Sequence, residues 1–154
     1  MSIFPARILL ATDGSADAEL ALATAVDIAN GTDSELHVIT AGPGNPDPVY
    51  GIHEAGLQYE TYEQALEAVE REAQRVLDEQ VRKVEELGGK VAGAYLSRGQ
   101  RRDQAIVRRA DEIGAGQIVI RSRGLGGFRR ALMGSVSISA VVRHAHCPVM
   151  VVRR

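Results

Sequence analysis

The sequence predicts an α/β fold: one doubly wound, five-stranded parallel sheet with helices on both faces. Three observations predict it. Short apolar runs alternate along the chain with longer stretches in which apolar residues recur at three and four. The apolar runs lack the in-and-out alternation of a half-exposed sheet, as strands covered on both faces do. Hydrophobic residues make up 45% of the chain but aromatic ones only 4%, so the core must be packed from Ala, Val, Ile and Leu, which suits helices laid on a sheet. At 154 residues the chain suits one domain, spanning 1–154, with no internal repeat or linker.

The elements follow in order. "RILLATDGS" is an apolar run ending in turn residues, a buried strand over about 7–12. Ser15 or Asp17 can cap the helix that follows, with Asp17 and Glu19 favourably placed in its first turn and Asn30-Gly31 ending it. "SELHVITA" is a second strand. The segment 42–60 then holds four glycines and three prolines, too broken for regular structure and long for a connection, so it reads as a variable lid or insertion. A long helix over about 61–87 carries Leu66, Val69, Ala73, Val76, Leu77, Val81, Val84 and Leu87 on one stripe and stops at Gly88-Gly89. "KVAGAYLS" is a third strand, weakened by Gly93. A short helix from Arg102 puts Ile106, Ala110 and Ile113 on one face, and "GQIVIRS" is the fourth strand. A last helix over about 135–144 leads to "PVMVV", the fifth strand.

Charge and cysteine content exclude several classes. A net charge of −2 gives no global field to recruit nucleic acid or a membrane surface. The single cysteine, Cys147, excludes an internal disulfide framework and fits a reducing compartment. The opening apolar run is too short for a signal peptide and no segment is long enough to span a bilayer, so the expectation is a cytoplasmic protein with no membrane partner.

In a sheet of this kind ligands bind beyond the carboxyl ends of the strands. Two loops stand out there. Thr12-Asp13-Gly14-Ser15 follows the first strand, where Asp13 can accept from ribose hydroxyls, hold a metal ion, or simply order the turn and cap the helix. In "IVIRSRGLGGFRRALMGSVS", Gly124, Gly126 and Gly127 allow close approach of a ligand to the backbone. Gly134-Ser135 then opens a helix whose N–H groups favour an anion. The pieces make a phosphate cradle in kind. Neither a G-K-[ST] loop nor G-x-G-x-x-G after the first strand is present.

"ILLATDGS", "LHV", the spacing G-x2-G-x9-G-S and the ending "HAHCPVMVV" together resemble the universal stress protein family over essentially the whole chain. The resemblance implies a Rossmann-like fold, membership of either an ATP-binding or a nucleotide-free branch, and a homodimer paired through strand 149–152. It implies Asp13 at the ribose, Val38 at adenine, and Gly124, Gly134, Ser135 and Ser137 at the phosphates of ATP bound with Mg. No catalytic residue and no protein-held metal are implied, apart from Asp13 through Mg-ATP.

The chain departs from that pattern at Arg121, which stands where the motif has its first glycine. Either its stem swings aside and the guanidinium bonds the phosphates, or it fills the pocket and pairs with Asp13. Arg101-Arg102 also replaces the family's proline ahead of the third helix, a convenience rather than a need. Three functions compete: an ATP-binding stress-response regulator with little turnover, a slow ATPase, and a nucleotide-free dimeric interaction protein. The S-G-G-x-D-S loop of pyrophosphate-releasing enzymes is absent, which argues against an enzyme. Arg123, Arg129 and Arg130 form either a rim for anions or a solvated face. His37 reads as a packed histidine, His144 and His146 as favourable charges near a helix end, and Cys147 as a small apolar residue.

Overall fold

Strand β1 (Arg7–Ala11) is the middle of the sheet, and its residues account for that position: Ile8, Leu9 and Leu10 are all 0% exposed. Neighbouring residues of a strand face opposite ways, so three consecutive buried ones need a cover on each side. The computed structural model, which describes residues 4–16, 18–41, 62–97, 101–122 and 138–153, supplies both covers. After β1 come α1 (Ala18–Thr32), β2 (Glu35–Ala41), α2 (Tyr62–Glu86), β3 (Val91–Ser97) and α3 (Arg102–Ile113). Then follow β4 (Gln117–Arg121), α4 (Ile138–His144) and β5 (Val149–Val152).

The five strands pair in parallel in the order β3-β2-β1-β4-β5, so the predicted Rossmann-like, doubly wound α/β sheet is the one observed. The chain steps outward from β1 to β3, then returns to lay β4 and β5 on the other side of β1. Its winding therefore reverses between β1 and β4. On one face Ile8, Leu10 and Val119 pack with Leu22 and Val26 of α1 and Leu77 and Val84 of α2. On the other, Leu9, Ile118 and Ile120 pack with Ile106 and Ala110 of α3 and Val141 of α4.

Helix ends differ from expectation in instructive ways. α1 runs through Gly31 to Thr32, and the left-handed position falls on Asp33 (φ 55°), with the Ser34 N–H donating to the Ala29 carbonyl at 2.9 Å. That closing bond fixes where the helix stops, and aspartate tolerates the conformation well enough for glycine to be unnecessary. α2 ends as expected: Gly88 takes φ 83° and the Gly89 N–H donates to the Val84 carbonyl at 2.9 Å. Leu87, placed on the apolar stripe by its spacing, instead lies beyond the helix and is 54% exposed. α3 closes on Gly114, left-handed at φ 67°.

Gly93 has a specific reason to lack a side chain. A Cβ there would strike the Tyr95 hydroxyl and lie 2.7 Å from His37 Nδ1. Those two rings stack across β2 and β3 with centroids 5.9 Å apart, and His37 Nδ1 and the Tyr95 hydroxyl share a 2.9 Å hydrogen bond. His37 is thus the packed, hydrogen-bonded histidine its strand position predicts. Gly93→Ala is expected to destabilise the fold by about 1–3 kcal/mol through overpacking, read as a lowered urea midpoint with an unchanged slope. A midpoint equal to the parent's would show that the rings can move aside freely.

Candidate functional site

Past Ala11 the chain leaves the sheet at the point where the winding reverses. The Thr12 N–H still donates to the Ile39 carbonyl at 3.1 Å, and Thr12 Oγ1 donates to Gln80 Oε1 of α2 at 2.8 Å. Gly14 follows with φ 75°, its missing Cβ leaving room for Val76, which would otherwise sit 2.6 Å away. The Ser15 N–H donates to Asp13 Oδ1 at 3.0 Å, and Ser15 Oγ accepts from the Ala18 N–H at 3.2 Å. Ser15 is therefore the cap of α1, and one carboxylate oxygen of Asp13 orders the turn before it.

The other oxygen faces an arginine. Arg121 closes β4, in register with Val152 of β5, and its Nη2 donates to Asp13 Oδ2 at 2.6 Å. Both side chains are largely withdrawn from water, 8% exposed for Arg121 and 17% for Asp13. Of the two arrangements open to Arg121, the structure adopts the pairing with Asp13.

A second arginine belongs to the same cluster. Arg102, the first residue of α3, is buried. Burial lowers its guanidinium to about 10, while the negative charge of Asp13 works in the opposite direction. It therefore stays protonated at neutral pH. Its neighbour Asp103 is held separately by Arg101, at 3.2 Å. The Asp13 carboxylate thus bonds the Arg121 guanidinium of β4, and its charge is also felt by the buried Arg102 of α3. Both carboxylate oxygens of Asp13 are engaged, one by the Ser15 N–H and the other by Arg121.

The other expected residues fall elsewhere. Val38 lies in the middle of β2 with 0% exposure, inside the layer covered by α1 and α2. The structure does not bring its side chain to the surface beside Asp13, because Thr40 and Ala41 continue the strand past it. Gly124, Gly134, Ser135 and Ser137 lie outside the described residues, as do Arg123, Arg129, Arg130 and the 42–60 segment. Arg102 is the functional candidate that sequence reasoning undervalued. Its signal was there, a charged residue where the helix would ordinarily begin with proline. Among the described residues, no group of His, Cys, Asp and Glu could hold a metal ion. His146 pairs with Asp111 at 3.0 Å on the surface. Burial, and then the Asp111 charge, push the Cys147 thiol up, which leaves it a poor nucleophile.

A reversal of winding with polar side chains gathered at the strand ends defines a class, the open α/β domains that take ligands in that crevice. The universal stress protein family model matches residues 6–153, and the chain belongs to that family. A Staphylococcus haemolyticus relative named as a universal stress protein is 31% identical, over 96% of this chain and 84% of its own length. The universal stress protein of Archaeoglobus fulgidus superposes with a TM-score of 0.67 at 25% identity, covering 94% of this chain and 91% of that one. A second structure of that archaeal protein, in complex with dAMP, gives 0.65 at 25% identity, over 94% and 95% of the two chains.

Asp13→Asn is expected to cost about 3 kcal/mol of stability, because the largely buried ion pair with Arg121 is broken. A urea titration checks it. A loss under about 0.5 kcal/mol would mean that the pair contributes no more than a surface ion pair does.

Proposed function

We propose that this chain is an adenine-nucleotide-binding regulatory protein of the stress response, with little or no turnover, in which ligand must part Arg121 from Asp13. The observation that carries the reading is the carboxylate of Asp13, held at the reversal point by its own turn. Support comes from the archaeal family member solved with dAMP. In this reading Asp13 takes the ribose, the phosphates lie on Gly124, Gly134, Ser135 and Ser137, and ATP is the expected nucleotide. Val38 forms part of the floor beneath the adenine rather than a side-chain contact, given its burial.

One feature argues for weak turnover: with one Asp13 oxygen on the Ser15 N–H and the other on the ribose, the carboxylate is engaged in holding and not in activating water. Mg²⁺ enters with the triphosphate. Parting a largely buried ion pair costs on the order of 3 kcal/mol, which lowers affinity about 100-fold. The same ion pair favours a second reading, a nucleotide-free interaction protein in which Arg121 permanently occupies the crevice.

Assembly and location belong to the proposal as well. β5 is an edge strand of four half-buried apolar residues, Val149–Val152, and an apolar edge is a template for pairing with a second copy. The proposal takes the protein to be a cytoplasmic dimer without a membrane or nucleic-acid partner; no helix among the described residues is long and apolar enough to cross a membrane.

Calorimetric titration with ATP and Mg²⁺ tests the central claim. The parent is expected to bind, and Arg121→Gly to bind at least tenfold more tightly because nothing then has to be displaced. Binding only by the variant would establish the nucleotide-free reading. Absence of binding by both would remove nucleotide altogether. Light scattering at tens of micromolar is expected to give a dimer mass, and a monomer mass would exclude pairing through β5.

A further inference from the structure

The buried stripe of α2 runs through Ala73, Val76, Leu77 and Val84, and among them stands a glutamine. Gln80 is 1% exposed, although glutamine is ordinarily a surface residue. Its Oε1 accepts from Thr12 Oγ1 at 2.8 Å, and Thr12 Oγ1 in turn accepts from the Gly14 N–H at 3.3 Å. The residues on either side of Asp13 thus share one hydroxyl, and that hydroxyl is tied to α2. The Thr12 N–H is held from β2, by the Ile39 carbonyl at 3.1 Å.

Stability does not account for this strap. Gln80 Nε2 is buried and finds no hydrogen-bond partner among the described residues, and the same holds for Oγ1 of Thr40, the β2 residue that follows Ile39. Each is a polar group stripped of water without compensation, whereas an apolar pair of the same shape as Thr12 and Gln80 would fill the space at no such cost. Polar groups set into a core against the local pattern are expected where function requires them. The requirement here concerns Asp13. In the free protein Arg121 holds Asp13 Oδ2 directly, at 2.6 Å. Once ligand displaces that guanidinium, the carboxylate keeps its bond from the Ser15 N–H, and its aim depends on how firmly the turn is held. The turn is anchored on one side by the Ser15 cap of α1 and on the other by Gln80.

We propose that Gln80, acting through Thr12, is a positioning residue of the nucleotide site, holding the turn so that Asp13 stays aimed at the ribose after Arg121 has left it. The proposal rests on the adenine-nucleotide reading given above. It adds the side chain that keeps the carboxylate in place.

A double variant, Thr12→Val with Gln80→Leu, separates positioning from packing. Urea titration is expected to give a midpoint at or above the parent's. Calorimetric titration with ATP and Mg²⁺ is expected to give an affinity about tenfold weaker. Thr12→Ser, which keeps the hydroxyl, is expected to bind within about threefold of the parent. Should the double variant lack a cooperative melt, Gln80→Met, close to glutamine in length, takes its place in both measurements. A variant without the strap that binds ATP as tightly as the parent would overturn the inference and leave the nucleotide reading standing. So would a lowered midpoint accompanying the loss of affinity, since the strap would then be structural. Weak binding by Thr12→Ser would assign the effect to the methyl group and not to the hydroxyl, and would overturn it as well. If the parent itself takes no ATP, both readings fall.

Discussion

Burial of the central strand on both faces constrains everything else in this molecule. With Ile8, Leu9 and Leu10 sealed from water, β1 has no lateral surface on which chemistry could be placed. Polar groups can gather only where the strand stops. The order of the sheet then decides which end of which strand matters, because the winding reverses between β1 and β4. Thr12 and Asp13 stand at that reversal because they are the first residues released from the ladder.

Asp13 is the junction of several local demands. One oxygen shapes the turn that lets Ser15 cap α1, and the other holds Arg121. Its charge also offsets the burial of Arg102. A group engaged in this way contributes more by being present than by reacting. Of the departures from the family pattern, Arg121 in the glycine's place bonds Asp13, and Arg102 of the Arg101-Arg102 pair in the proline's place lies where the Asp13 charge acts on it.

Much of the fold was legible in the residues because it depends on local rules. The uninterrupted apolar run of β1 and the stripe of α2 each report burial directly, and glycines mark helix ends at Gly88 and Gly114. The misjudged boundaries were those decided by a single hydrogen bond, such as the one from Ser34 that carries α1 past Gly31. Gln80 was invisible on the polar side of a pattern count, yet it is 1% exposed because Thr12 supplies a partner 68 residues away. Within the site, Asp13 was readable from its turn and the pairing with Arg121 was one of two arrangements open. Arg102 was not recognised, since sequence alone cannot say that the start of α3 points at the end of β1. Val38 was named by resemblance alone, and the structure places it buried in β2.

One contact well away from the crevice joins two layers of the molecule. Arg109, two turns along α3 from Arg102, lays its guanidinium 4.3 Å above the ring of Tyr95, and that ring is itself stacked on His37. The stack fastens the far half of α3 to the β2–β3 side of the sheet, whereas Arg121 belongs to β4 on the opposite side of β1. The two arginines that feel the Asp13 charge thus reach the end of β1 from opposite halves of the sheet.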